Sequence, residues 1–181
     1  MLIPRPESES IIEILKELNP ATIIDIGTGS GCLAISARLE IPNSRVIATD
    51  VSEDALQIAR QNASSLNSEI TFAVSDLLSG IKTITSDEPV AIVANLPYVD
   101  KTWQTSPETK FEPSLALFAD DYGLRLINKL IVPAAKKFRT GASLILEADK
   151  RQHKQMTEYA KKHGFKFAQM DGLIAHYTLR A

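Results

Sequence analysis

The chain has little of several things, and each shortage removes a class of protein. A single cysteine, Cys32, in 181 residues leaves no intramolecular disulfide, which fits a reducing compartment. It follows Gly31 and precedes an apolar run, where a small buried residue is expected rather than a nucleophile. The histidines, His153, His163 and His176, show no ligand pattern with that cysteine, so no metal is expected. Charge of one sign is missing too. There are 20 Lys and Arg against 22 Asp and Glu, so no global positive field favours a nucleic-acid backbone and direct nucleic-acid binding is not expected. No apolar run approaches a membrane span, and MLIPRPESES lacks a signal-peptide core, so a cytoplasmic protein without membrane contact is expected. What is present, 44% hydrophobic and 23% charged residues, is the mix of one globular domain with a real core.

Apolar periodicity divides the chain into alternating helices and strands. A helix in ESESIIEILKELN, with Ile11, Ile12, Leu15 and Leu18 at helical spacing, stops at Pro20. The strand TIIDI, the turn GTGSG and the helix CLAISARLE follow, then the strand RVIATD and the helix SEDALQIARQNASSLN with Ser52 as N-cap. Strands ITFAVSD and VAIVAN come next. No periodicity persists from Val99 to Leu117, a loop that carries Trp103 and Phe111 and whose length marks it as functional or disordered. Beyond it lie the helix GLRLINKLIVPAAKKF, the strand ASLILEA, the helix RQHKQMTEYAKKHG and the strands FKFAQM and IAHYTLR. Strand and helix in alternation require a parallel sheet with helices on both faces, and the closing pair of strands is expected to form an antiparallel hairpin.

Ligands of open parallel sheets bind beyond the carboxyl ends of the strands, where the connections switch direction. The first strand ends there in Asp25, Ile26, Gly27, Thr28, Gly29, Ser30 and Gly31. A short G-x-G is a weak signal alone. Asp50, followed by Val51, ends the second strand, where a carboxylate accepts both hydrogen bonds of a ribose diol, and Asp76 ends the third, where it meets an adenine edge. The bland alternative makes both aspartates helix N-caps. The spacing G-x-G-x-G departs from the dinucleotide pattern, and Asp25 before it repels a pyrophosphate but holds a cationic amino-acid end. These features point to S-adenosyl-L-methionine.

The fourth strand runs into Asn95, Leu96, Pro97 and Tyr98. Asn and Pro are turn residues, so an ordinary turn is one reading. The other is a site beside the same crevice. A planar nitrogen resists methylation because its lone pair is delocalised. Two acceptors gripping its hydrogens, the side-chain oxygen of Asn95 and the carbonyl of Leu96, orient it, while Tyr98 packs on the flat group and Pro97 stiffens the turn. Catalysis is then positioning and electrostatics.

Together LIPRPESE, DIGTGSGCLAIS, NLPY, EPSLAL with the following GL, Glu147 and Gln152 in LEADKRQ, and Asp171-Gly172 resemble the HemK class of protein-(glutamine-N(5)) methyltransferases. The resemblance implies a class I methyltransferase: a Rossmann-like α/β domain with a seven-stranded, mostly parallel sheet and an antiparallel C-terminal hairpin. It implies S-adenosylmethionine as cofactor, S-adenosylhomocysteine as product, and the Gly-Gly-Gln glutamine of peptide chain release factors as substrate. Asp25, Gly27, Thr28, Gly29, Gly31, Asp50, Val51, Asp76 and Asn95 would bind the cofactor, and Asn95 and Tyr98 would hold the substrate amide. Arg5 and Pro6 would lie at the cofactor or the mouth of the site, with Trp103, Phe111, Glu112 and Pro113 of the loop at the substrate mouth.

Three departures stand out. Leu96 replaces the family's proline, a His-Tyr stretch replaces an Arg after the last turn, and the family's N-terminal helical domain is expected to be absent, leaving residues 1–181 as a single methyltransferase domain. NLPY is also similar to the motif of ribosomal RNA adenine dimethyltransferases. An adenine-N6 methyltransferase acting on RNA or DNA, and a cofactor-binding relic without catalysis, are the alternatives, while an NAD-dependent dehydrogenase would need the longer glycine spacing.

Overall fold

A computed structural model describes residues 8–82, 88–104 and 117–180. Its first helix, α1 (Glu9–Leu18), buries Ile11, Ile12, Ile14 and Leu15 and ends at Asn19 in a left-handed cap. Then β1 (Thr22–Ile26), α2 (Cys32–Glu40), β2 (Arg45–Asp50), α3 (Glu53–Ser65) and β3 (Thr71–Val74) alternate as the periodicity requires. Ser52 caps α3, its hydroxyl accepting the Ala55 N–H at 3.3 Å, so Asp50 is free of that duty. The chain continues through β4 (Val90–Ala94), β5 (Val99–Asp100), β6 (Phe118–Ala119), α4 (Arg125–Lys137), β7 (Ser143–Glu147), α5 (His153–Lys162), β8 (Phe165–Asp171) and β9 (Ile174–Leu179).

Seven strands form one sheet in the order β3-β2-β1-β4-β7-β9-β8. The first five are parallel, and β9 runs antiparallel to both β7 and β8. This is the expected seven-stranded, mostly parallel α/β sheet with its C-terminal hairpin. One detail differs: the later hairpin strand, β9, lies inside, and β8 takes the edge. Local turn chemistry specifies a hairpin but not which strand joins the sheet. A second difference lies in the stretch read as one loop from 99 to 117. Val99 and Asp100 pair in parallel with Phe118 and Ala119 as a separate two-stranded sheet, strands too short to show a period.

Alternation along the buried strands divides the core in two. Ile23, Val46, Ala48, Ala91, Val93 and Ile145 face α1 and α2, while Ile24, Ile26, Ile92, Ala94, Leu144 and Leu146 face α4 and α5. With both faces covered, β1, β4 and β7 are buried at every position. Neighbours β1 and β4 are the point where connections switch direction, so their carboxyl ends open a crevice. Cys32 departs from expectation. It is exposed, because as the first residue of α2 it stands at this crevice end of the sheet rather than over its middle. No helix among the described residues is long and apolar enough to cross a membrane.

Candidate active site

The glycine turn fills the mouth of β1. Gly27, Gly29 and Gly31 have φ of 73°, 55° and 81°, and the last is the N-cap of α2. A side chain at Gly27 is excluded twice, by its φ and by Leu96, whose Cδ2 would lie 2.9 Å from an added Cβ. Leu96 therefore has a side-chain role that the carbonyl argument missed. It is buried against the turn, joining the two halves of the site.

Asp25 sits below the turn, 2% exposed, with the Thr28 hydroxyl donating to its Oδ2 at 2.6 Å. Desolvation pushes its carboxyl up to about 6, against the pull of the Thr28 hydroxyl and the Ala34 N–H, with the charge of Asp50 adding to the rise. A cation brought to this end of the crevice would relieve that cost. Asp50 ties two strands of the crevice together. Its Oδ2 accepts the Gly29 N–H at 2.9 Å and its Oδ1 the Ser52 N–H at 2.9 Å. Beside it Val51 is 73% exposed, an apolar surface at the crevice rim. Asp76 lies beyond the end of β3 in an exposed ion pair of 2.6 Å with Lys129 on α4.

Asn95, Leu96, Pro97 and Tyr98 leave the end of β4 next to this turn, and their support comes from far along the chain. Glu147, the last residue of β7 and 1% exposed, lies beneath them. Its Oε2 accepts from Asn95 Nδ2 at 2.8 Å and from the Ser8 hydroxyl at 2.6 Å, and its Oε1 accepts from the Tyr98 hydroxyl at 3.0 Å. Asn95 Nδ2 also reaches Ser8 Oγ at 3.1 Å. The other end of that amide, Oδ1, is buried and has no hydrogen-bond partner among the described residues. Such an atom is costly unless something arrives to pair with it.

The backbone of the turn is gripped as well. Gln152 Nε2 donates to the Tyr98 carbonyl at 2.7 Å and to the Tyr122 carbonyl at 2.5 Å, while its Oε1 accepts the Asp149 N–H at 3.0 Å. Asp121, Tyr122 and Gly123 are all left-handed, with φ of 60°, 54° and 79°. Two such non-glycine residues in a row are strained, and surrounding contacts must hold them. Gly123 is confined further: an added Cβ would lie 1.9 Å from the Tyr98 carbonyl oxygen.

At the edge of this region Arg151 stacks over Trp103, its guanidinium carbon 3.6 Å from the ring centroid, and pairs with Asp149 at 2.8 Å. Arg5, Pro6, Phe111, Glu112 and Pro113 lie outside the described residues. No group of His, Cys, Asp and Glu able to hold a metal occurs among the described residues. Sequence reasoning assigned no role to Ser8, Gly123, Glu147 or Gln152. One signal was available: SLILE is an entirely buried strand ending in a carboxylate, which needs donors around it.

Comparison with known proteins bears on the family and the fold. The chain is 38% identical over 154 residues to a release factor glutamine methyltransferase of Koribacter versatilis, covering 81% of this chain and 54% of that protein. It is 38% identical over 164 residues to a release factor glutamine methyltransferase of Bacteroides thetaiotaomicron, covering 86% of this chain and 58% of that one. The chain thus spans little more than half the length of these curated relatives. Among solved structures, a 16S rRNA N2 methyltransferase of T. thermophilus, in complex with AdoMet and guanosine, superposes with a TM-score of 0.69 at 14% identity, over 99% of this chain and 44% of that one. The fold is that of a class I methyltransferase. The profile of the methyltransferase small domain matches residues 6–110, from the entry segment through the glycine turn to the loop beyond NLPY, and the chain belongs to that family.

Proposed function

We propose that this domain transfers a methyl group from S-adenosylmethionine to the side-chain nitrogen of a glutamine, that of the Gly-Gly-Gln motif in a peptide chain release factor. The observation that carries the proposal is the buried Oδ1 of Asn95, without a partner among the described residues, an acceptor built into the end of β4 beside the glycine turn. The relatives named as release factor glutamine methyltransferases support the choice of substrate.

The chain's own residues fit the cofactor. Glycines at 27, 29 and 31 keep the crevice open, Asp50 presents a partly buried carboxylate to a diol, and Val51 offers an apolar surface to a flat base. Asp25 is desolvated and its pKa is pushed up to about 6, so its ionised form gains most from a nearby ammonium. When bound, S-adenosylmethionine supplies an electrophilic methyl carbon on a sulfonium.

The remaining work is done by protein dipoles. Asn95 Oδ1 and the Leu96 carbonyl accept the two N–H bonds of the substrate amide and turn its lone pair out of conjugation. They also face the positive charge that grows on nitrogen during transfer, which makes them more useful in the transition state than in the ground state. One N–H proton leaves to solvent once the nitrogen carries the methyl group. Tyr98, held through its hydroxyl by Glu147, walls the amide on one side.

Transfer of a labelled methyl group to a release factor and to a Gly-Gly-Gln peptide, with RNA and DNA as competing acceptors, tests this reading. Label on the glutamine side-chain nitrogen, located by fragment mass spectrometry, is the expected result. Label on adenine alone would replace glutamine by a nucleic acid, and cofactor binding without transfer to any acceptor would mean a binding relic.

A further inference from the structure

Methyl transfer to an amide has no obvious need of a carboxylate beneath the substrate turn, yet Glu147 is there, buried at the end of β7. An ionised carboxylate only accepts hydrogen bonds. The groups that meet it are less constrained: the hydroxyls of Ser8 and Tyr98 can donate or accept, and an asparagine amide rotated by half a turn exchanges its oxygen and nitrogen. Against Glu147 those choices vanish. Ser8, Asn95 and Tyr98 all donate, at 2.6, 2.8 and 3.0 Å. The oxygen of Asn95 is thereby turned away from the carboxylate and left buried without a partner among the described residues. Left to itself, the amide would rotate to relieve such an atom. The carboxylate blocks that rotation.

We propose that Glu147 is a positioning residue that sets the polarity of the substrate pocket, holding Asn95 with its acceptor turned away from the carboxylate so that the pocket takes an N–H2 group and rejects a carboxylate. This rests on the glutamine reading above and deepens it: selection of glutamine over glutamate is decided by a residue that touches neither. Cofactor binding uses other residues and does not depend on Glu147.

Two measurements test the proposal, the first independent of activity. Hydrogen exchange of the Asn95 side-chain amide, followed by NMR, is slow in the wild type and about tenfold or more faster in Glu147→Gln, where the amide is free to reverse. In kinetics, Glu147→Gln lowers kcat by about tenfold or more while the cofactor Kd stays within about twofold. It also gains binding to a Gly-Gly-Glu peptide that the wild type refuses.

Asn95→Asp alone sets two carboxylates against each other and is similarly impaired. The double variant Asn95→Asp/Glu147→Gln exchanges donor and acceptor across the contact, again leaving an oxygen turned away from residue 147, and recovers about fivefold or more over the better single variant. Unchanged exchange in Glu147→Gln, or a folded double variant no better than its parents, overturns the proposal. Were Glu147→Gln to unfold, Glu147→Asp, which keeps the charge but withdraws it from the amide, is the second variant, and slow exchange there is equally fatal. If exchange behaves as expected while the wild type transfers no methyl to glutamine, the substrate reading falls and the clamp stands.

Discussion

The two halves of the site are built by different means. The glycine turn is held by neighbours: Asp25 by Thr28, three residues on, and Gly29 by Asp50, twenty-one residues on. The NLPY turn is held by strangers. Asn95 bonds Ser8, 87 residues before it, and Glu147, 52 residues after it, and the Tyr98 carbonyl is fixed by Gln152, 54 residues away. A local site can be specified by a short motif, because the strand and helix that flank it are also local. A site assembled from distant segments exists only when the whole sheet is in order. The first half should therefore survive perturbations that destroy the second.

The largest separation of the two halves is expected from Gly123→Ala. Its new Cβ would meet the Tyr98 carbonyl oxygen at 1.9 Å in a left-handed backbone, so either the NLPY turn or the strained turn below it must move. A loss of roughly 3 kcal/mol or more in urea unfolding is expected, with methyl transfer abolished. A variant of wild-type stability and rate would remove the long-range half of the comparison.

Asn95→Ala acts on the same half without the steric insult. Turnover should fall by about a hundredfold or more, the typical cost of a lost transition-state acceptor, while cofactor affinity stays close to that of the wild type. Parallel titration calorimetry and single-turnover kinetics must diverge. If both fall together, Asn95 belongs to the framework rather than to the chemistry.

On the local half, Asp50→Ala should weaken S-adenosylmethionine binding by roughly 1 to 3 kcal/mol, since hydrogen bonds to a charged acceptor are lost. Part of that arises from the freed Gly29 N–H. An unchanged dissociation constant would place the ribose elsewhere.

The smallest effect, and the most diagnostic, concerns Asp25. Its folded carboxyl lies at about 6, above the ordinary 3.8, so its contribution to stability is complete below about pH 3.8 and is lost as pH rises through about 6. Asp25→Asn removes that loss and should stabilise the cofactor-free protein by about 1 kcal/mol at pH 7.5, less than the full shift because the buried amide needs partners of its own. If Asp25 pairs with a cation of the cofactor, wild-type affinity falls as pH drops below 6, and the variant binds more weakly with no such slope. Calorimetry across pH 5 to 8, an experimental range of roughly three units around the expected pKa, separates the two. A wild type without pH dependence would detach Asp25 from the ligand.

The same division governs what could be read in advance. The helix at Cys32–Glu40 and the strand at Arg45–Asp50 lie where periodicity puts them, because Gly31 before and Pro42 between punctuate the chain. The strands β5 and β6 have two residues each and no period to detect. Glu147 and Gln152 stood out only as parts of a family signature. Nothing in their spacing reveals that β7 lies beside β4, which is a fact of sheet order. The side chain of Leu96 was invisible for a similar reason, since only the fold brings it onto Gly27.

The inner placement of β9 also sets an order of events. The edge strand β8 touches the sheet only through β9, although β8 is made first. It has nowhere to dock until the residues after Gly172 have folded back on it. The hairpin must then close before or as it joins β7, and in native-state exchange β8 should open more readily than β9, since edge pairing can be lost without disturbing the centre. During synthesis the glycine turn and both aspartates that flank it have been made once β2 is complete, whereas Glu147 receives its neighbouring β9 only when residues 174–179 have been made. The proposed methyl transfer, unlike the proposed cofactor binding, thus depends on β9 as well as on the segments made before it.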